Sequence, residues 1–277
     1  MTDRSAFYHQ AARRFLHDRE AEWVEVYERL SNHGRRPDGL QNTDEAKNIY
    51  PRYLILDAIA VEVDRLDPDQ LPPHEQVLQR LQAAGVEAEI AFSKGHEPES
   101  VEAIAQEDER RNFAGFVDSL AGMEPGVVAP LPYRRTLAAA EAGEWRTVVQ
   151  TAWDLDGLDF WLPLDADQVG GRPVLALRAE AFFSGYEPTG PASLAVRRAL
   201  GDLGITRLWE LREYGPEFER EAESAAFVYT GAEGMFFSGE LDWLIFASHS
   251  GVTTLGGSVV EQLRRSWPGL ERFLWRG

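Results

Sequence analysis

The sequence predicts an α+β protein in which a mostly α-helical N-terminal region precedes an antiparallel β-meander covered by helices. Apolar residues recur at helical spacing through most of 1–122. The stretch MEPGVVAPLP at 123–132 holds three prolines and a glycine, which is typical of a linker. Short β-like runs separated by glycine-containing turns then recur in the second half of 133–277, and this rhythm indicates an antiparallel sheet.

Four amphipathic segments predict the helices of the first region. Pro51 opens the segment RYLILDAIAVEVDRL, whose apolar residues cover so much of the circumference that we expect a central helix. VEAEIAF at 86–92 alternates and fits either a short strand or an extension of the preceding helix. The first predicted helix ends at His33-Gly34. The third begins at Pro72-Pro73 and ends at Gly85, and the fourth begins after Glu97-Pro98.

The second region mixes strands and helices, and we expect the helices to cover one face of its sheet. LPYRRTL predicts a strand, and DLDGLDFWLPL predicts a turn at Asp156-Gly157 leading into another. PVLALRAEAFF fits a strand or a helix. The predicted helices are AAAEAGEWRTVVQTAW, ASLAVRRALGDLG and VVEQLRRSW. From residue 205 onward, the turns YGPE, TGAEG, SGE and SHSG separate the strands of the meander.

The charge of the chain points to a protein partner more than to nucleic acid. The formal net charge is −18, with 25 acids and 14 bases in 1–124 and 21 acids and 14 bases in 125–277. No cluster of Lys or Arg along the sequence suggests neutralisation of phosphates, so we expect no nucleic-acid binding. Acidity favours solubility and also speeds association with a basic protein.

The sequence excludes several locations and chemistries. The chain has no cysteine, which removes disulfides, thiolate nucleophiles and Cys-ligated metals. The first residues, MTDRSAFYHQ, lack the apolar core of a secretory signal. No run reaches the roughly 20 apolar residues of a spanning helix. We therefore expect a cytoplasmic protein with no membrane contact.

No motif predicts a metal or a cofactor. Glu-x-x-His and His-Glu-x-x-His are both absent. Asp57 and Asp64 share a face of the most apolar helix, where they are either functional buried acids or partners of Arg52 or Arg65. The acidic stretch DLDGLDFWLPLDAD lacks the spacing of a calcium loop, and an Asp-Gly turn accounts for its first residues.

Motifs for an activated serine or a phosphate loop are also absent. Ser250 lacks the flanking glycines of Gly-x-Ser-x-Gly, and Gly-x-x-x-x-Gly-Lys does not occur. Gly256-Gly257-Ser258 opens a helix, whose N-terminus could hold an anion. A capping box between Ser258 and Glu261 explains the same residues more simply.

His249 is the candidate catalytic residue. If residues 243–249 form a strand, both faces of that strand are largely apolar and His249 ends it beside a turn. An imidazole is the commonest general base, and Glu240 or Asp242 could assist it. The structural alternative is a half-exposed side chain that bonds to the turn backbone.

Residues from about 205 to 275 carry a resemblance. ITRLWELREYGPEFE, VYTGAEGMFFSGELDWLIFASHSGVTTLGG and SWPGLERFLW resemble the C-terminal part of uncharacterised bacterial proteins. The acidic α+β character is loosely similar to immunity proteins of bacterial toxin systems. This resemblance implies no activity and assigns no catalytic residue.

Three hypotheses follow for function. The first is a non-enzymatic immunity protein or antitoxin that masks a basic partner. The second is a hydrolase or small-molecule enzyme with His249 at the mouth of the sheet. The third is a regulatory module that binds a ligand between the two regions. A closed cleft with convergent polar groups would favour the second or third hypothesis.

Overall fold

A computed structural model gives the fold of residues 3–33, 44–90, 97–155, 168–169, 171–184 and 188–276. The chain divides into two compact units between Leu131 and Pro132, inside the proline-containing stretch. The predicted α+β class is confirmed, since helices fill the first unit and an antiparallel sheet with helices fills the second. In the described ranges, no helix is both long and apolar enough to cross a membrane.

The described residues of the N-terminal unit form four α-helices that pack around a shared core. The third and fourth helices begin where the sequence predicts, after Pro73 and at Ser100, whose side chain accepts a hydrogen bond from the backbone N–H of Ala103. The second helix begins seven residues before Pro51, which lies inside it, so the predicted start was wrong. The helices are α1 Arg4–His33, α2 Asp44–Val63, α3 His74–Glu87 and α4 Val101–Leu120.

Three of these helices meet at a buried carboxylate that the sequence did not single out. Glu109 of α4 is fully buried and accepts hydrogen bonds from Arg19 and Trp23 of α1 and from Arg52 of α2. The two guanidinium groups lie 5.0 and 4.9 Å from the centroid of the Trp23 ring. Burial disfavours the charge of Glu109, but the arginine hydrogen bonds hold its pKa below the ordinary value.

The acids of the apolar helix α2 separate into two environments. Asp64 follows the helix and is buried, and its carboxylate accepts a hydrogen bond from Arg13 Nε at 2.8 Å. Asp57 is exposed. A structural ion pair therefore accounts for Asp64, although its partner comes from α1 and is neither Arg52 nor Arg65.

The described residues of the C-terminal unit form three α-helices and eight strands. LPYRRTL contains β1, and PVLALRAEAFF forms a strand followed by a 3₁₀ turn, which resolves the open alternative. The predicted strand after Asp156-Gly157 lies outside the described residues. The elements are β1 Arg134–Thr136, α5 Ala139–Trp153, β2 Gln168–Val169, β3 Arg172–Arg178, α6 Pro191–Asp202, β4 Arg207–Arg212, β5 Phe218–Glu221, β6 Gly234–Phe237, β7 Trp243–Ala247, β8 Val252–Gly257 and α7 Ser258–Ser266.

All neighbouring strands of the sheet are antiparallel, in the order β1-β5-β4-β6-β7-β8-β3-β2. The meander is continuous only through β6, β7 and β8. The hairpin of β4 and β5 turns toward β1, so that β6 pairs with β4. The chain reaches β6 from β5 through residues 222–233, which start beside Arg207 at one end of β4, contribute Phe227 to the core, and finish with Glu233 at the other end of β4.

Helices cover both faces of the sheet, and not one face as expected. Ile245 of β7 and Leu255 of β8 belong to a core that includes Val196 of α6 and Val260 of α7. On the opposite face, the β7 residues Leu244 and Phe246 pack with the α5 residues Val149 and Trp153. The reason is the composition of β7, in which all five residues are buried and apolar, so each face needs a cover.

Gly257 joins β8 to α7 and replaces the predicted capping box. Ser258 is the first helical residue, and no side chain caps this N-terminus. Gly257 has φ +77°, and a Cβ there would lie 2.0 Å from the backbone oxygen of Asp242. The predicted Ser258 cap was therefore wrong, since close packing of backbone against backbone fixes the start of α7.

Candidate functional site

The candidate site is built on the turn that joins β7 to β8. Ala247 pairs with Thr253, which leaves the predicted turn SHSG at residues 248–251. β7 ends at Ala247, so His249 lies in this turn and not at the end of a strand 243–249. Gly251 supplies the left-handed conformation with φ +78°, and Ser248 Oγ accepts a hydrogen bond from the backbone N–H of Ser250. This geometry lifts His249 to the tip of the hairpin, where 63% of its side chain is exposed.

A buried glutamate orients the histidine from below. Glu233 directly precedes β6, and only 6% of its side chain is exposed. Its Oε1 atom accepts hydrogen bonds from the Ser248 hydroxyl at 2.8 Å and from the His249 backbone N–H at 3.1 Å. The same oxygen lies 2.5 Å from Nδ1 of the imidazole. Because an ionised carboxylate only accepts hydrogen bonds, it favours the imidazole form with the proton on Nδ1.

One tyrosine lies beside this histidine, and a second tyrosine lies beside the first. The ring of Tyr229 meets the imidazole edge-on, with centroids 6.4 Å apart. The hydroxyls of Tyr229 and Tyr214 both donate to the backbone oxygen of Gly231. The neighbouring Tyr229 hydroxyl raises the pKa of Tyr214. Both side chains remain 38% exposed. We call Tyr214, Tyr229, Glu233, Ser248 and His249 the hairpin lip.

Glu240 and Asp242 do not join the hairpin lip. They lie in the turn between β6 and β7, whereas His249 lies in the turn between β7 and β8. The five residues of β7 separate the two turns by about 16 Å, because a strand rises about 3.3 Å per residue. Asp242 has a backbone role, since its carbonyl accepts the Ser258 N–H.

Glu233 is the residue that the sequence reasoning missed. It lies 16 residues before His249, with no motif between them. The signal was the register of the β6 and β7 hairpin. Gly234 pairs with Ala247, so one further step along both strands brings Glu233 beside Ser248. Extending the hairpin register beyond the apolar residues would have identified this pair.

The serine hydroxyls near His249 are not placed to act as nucleophiles. Ser248 donates to Glu233, and Ser250 donates to Ser248, so neither serine hydroxyl donates to the His249 ring. Within the described residues, Nε2 of His249 makes no hydrogen bond. A serine triad needs a nucleophile bonded to that nitrogen. The geometry therefore supplies an oriented imidazole without an adjacent nucleophile.

Among the described residues, the cavity found beside the hairpin lip is small. The cavity that touches Glu233 has a volume of about 10 Å³ and is lined by Arg146, Arg212 and Phe246, among others. Small-molecule sites typically enclose about 300–1,000 Å³. This cavity has room for about one water molecule. In the part of the chain that the structure describes, no cluster of three His, Asp or Glu side chains has metal-ligand geometry.

Comparisons with protein-family models, with curated proteins and with solved structures found no match for the chain.

Proposed function

We propose that the chain is an acidic binding protein that masks a basic protein partner, in the manner of an immunity protein or antitoxin. The observation that carries this proposal is the hairpin lip. It presents two tyrosines and a histidine on an open surface, with each polar tip already held by the fold.

The side chains of the hairpin lip are already ordered in the free chain, which suits a protein-binding surface. Tyrosine is enriched among the residues that contribute most to protein–protein affinity, because its large ring is ordered at low entropic cost. The Gly231 carbonyl holds Tyr214 and Tyr229, and Glu233 holds His249. A partner that lands here meets side chains that need little further ordering.

The charge of the chain supports a basic partner. The net charge of −18 favours rapid encounter with a cationic surface, an effect that weakens as salt screens the charges. Glu213 is exposed beside Tyr214, so a carboxylate borders the hairpin lip. The small cavity beneath Glu233 also favours a surface contact over an enclosed substrate.

Capture from the cells that natively make the chain tests this proposal. The tagged full chain should retain a basic protein at one-to-one stoichiometry. The complex should weaken as salt is raised from 50 to 500 mM, because the Debye length shortens about threefold over this range. Tyr214→Ala combined with Tyr229→Ala should weaken capture at least tenfold. Tyr50→Ala is the matched control, since Tyr50 is 42% exposed in the other unit. Equal loss in the control, or a partner that is not basic, would contradict the proposal.

One observation favours a second candidate, a hydrolase or small-molecule enzyme. The Glu233 carboxylate and His249 imidazole form a pair of the kind that orients a general base, with Nε2 exposed to a substrate. His249→Ala should then abolish turnover, with His17→Ala as the exposed-histidine control. Unchanged turnover in His249→Ala would exclude this role.

A further inference from the structure

A second surface feature lies where β3 meets the C-terminal residues. An open cleft of about 570 Å³ is lined by Arg178, Glu271, Arg272, Leu274 and Arg276. We propose that this cleft binds the phosphate group of a small phosphorylated molecule. The proposal does not depend on the function proposed for the hairpin lip.

Backbone pairing brings together arginines that lie far apart in the sequence. Leu177 and Leu274 form an antiparallel bridge. The backbone N–H of Arg178 donates to the Phe273 oxygen at 3.0 Å, and its guanidinium donates to the Arg272 oxygen at 2.7 Å. Arg178 is thereby attached to the same short segment that carries Arg272 and Arg276.

The cleft retains uncompensated positive charge in a strongly acidic chain. Arg178 is paired with Glu180 at 2.7 Å, and Glu271 supplies one more carboxylate. Among the described residues, the side chains of Arg272 and Arg276 make no ion pair or hydrogen bond. Many other arginines of this unit pair with carboxylates, such as Arg135 with Glu141. Arg198 and Arg264 of the same unit also have no such partner in the described part of the chain, but they do not line the cleft, whereas Arg272 and Arg276 both do.

The arginines and the leucine that line the cleft favour a phosphate ester as the ligand. Guanidinium groups bind phosphate oxygens through paired N–H donors, and several of them can share one dianion. The volume of about 570 Å³ falls in the range of small-molecule sites and exceeds what one phosphate group fills. Leu274 offers an apolar contact for the organic part of such a ligand.

Calorimetric titration of the full chain at constant ionic strength tests the site with three probes. We expect inorganic phosphate to bind saturably at one site, phenyl phosphate to bind more tightly, and phenol not to bind. If both phosphates bind equally, the cleft binds free phosphate, and the proposed contact between Leu274 and an organic group is wrong. Binding of phenol as tight as that of phenyl phosphate would overturn the proposal.

A charge-matched pair of variants assigns the binding to the cleft. Arg272→Gln combined with Arg276→Gln should weaken both phosphates at least tenfold. Arg198→Gln combined with Arg264→Gln removes the same charge from exposed positions of α6 and α7 that do not line the cleft, and should leave binding within twofold. Circular dichroism checks that both variants fold. No saturable phosphate binding by the wild-type chain, or equal weakening in the two variants, would overturn the proposal.

Discussion

A single carboxylate oxygen, Oε1 of Glu233, organises the turn that carries His249. It accepts three hydrogen bonds while its side chain is almost fully buried. A buried donor that loses its partner costs about 1–3 kcal/mol. Glu233 therefore stabilises the turn as well as orienting the imidazole.

Glu233→Ala should lower the free energy of unfolding by roughly 2–4 kcal/mol, because it leaves the Ser248 hydroxyl and the His249 N–H without an acceptor. Urea denaturation of the full chain measures the change. Glu240→Ala is the control, since the exposed Glu240 should change stability by less than about 0.5 kcal/mol. Equal stability of the two variants would contradict a structural role for Glu233.

His9 is a buried histidine on α1 whose environment opposes protonation. Its side chain is inaccessible, and neither ring nitrogen makes a hydrogen bond of normal geometry within the described residues. Burial, followed by the positive charge of Arg13, lowers the pKa of His9 to about 4, although Asp64, the Val63 backbone and Asp67 act in the opposite direction. The folded N-terminal unit therefore keeps this imidazole neutral.

Stability should fall between pH 6.5 and pH 4 because the unfolded chain binds a proton at His9 that the folded chain does not. The contribution is complete above pH 6.5, and roughly 2 kcal/mol of it is lost by pH 5. His9→Leu should lose less stability over this interval than the wild-type chain. Urea denaturation followed by far-ultraviolet circular dichroism at pH 7.5 and 5 measures the difference. His17→Leu, at an exposed site, should behave as wild type. If His9→Leu lost as much stability between pH 7.5 and 5 as the wild-type chain, His9 would not be the group responsible.

At the scale of elements, the junction of β7, β8 and α7 depends on one glycine. Gly257→Ala would place a Cβ against the Asp242 carbonyl at a positive φ, and should destabilise the chain by more than about 3 kcal/mol. Gly251→Ala is the matched control, because Gly251 has nearly the same φ, +78°, with open space around it. Its cost should be about 1–2 kcal/mol, from strain alone. Thermal or urea unfolding of both variants separates the two effects, and similar losses would show that the close approach is unimportant.

The same junction shows why sequence patterns located the elements better than the site. The apolar run Trp243–Ala247 and the turn before Gly251 are local signals, and they correctly predicted a central hairpin. The start of α7 was misassigned because Ser258 and Glu261 match a capping box locally, whereas tertiary packing against Asp242 decides the cap.

At the scale of the whole molecule, the missed features all depend on contacts between distant residues. Glu233 meets His249 across two strands, and Arg178 meets Arg272 through the pairing of β3 with the C-terminal segment. The partners are 16 and 94 residues apart in the sequence, so no short motif contains either pair. The second covered face of the sheet has the same origin, since the apolar residues of α5 predict a helix but not the face on which it packs.

The described residues of the C-terminal unit form their own apolar clusters and their own sheet. Its two apolar clusters are formed entirely by residues after Pro132, and every strand pair of the sheet lies in the same unit. The cluster of the N-terminal unit likewise uses residues before Leu131. A region on the order of 150 residues with its own core meets the usual criteria for a domain.

The fragment 132–277 should therefore fold without the preceding helices. We expect a cooperative urea transition and a near-ultraviolet circular dichroism spectrum dominated by its seven tryptophans, since only Trp23 lies outside it. Because the Glu233 contacts are internal to this unit, Glu233→Ala should destabilise the fragment by the same amount as the full chain, within about 0.5 kcal/mol. A fragment that lacks a cooperative transition, or an effect of Glu233→Ala confined to the full chain, would show that the sheet depends on residues before 132.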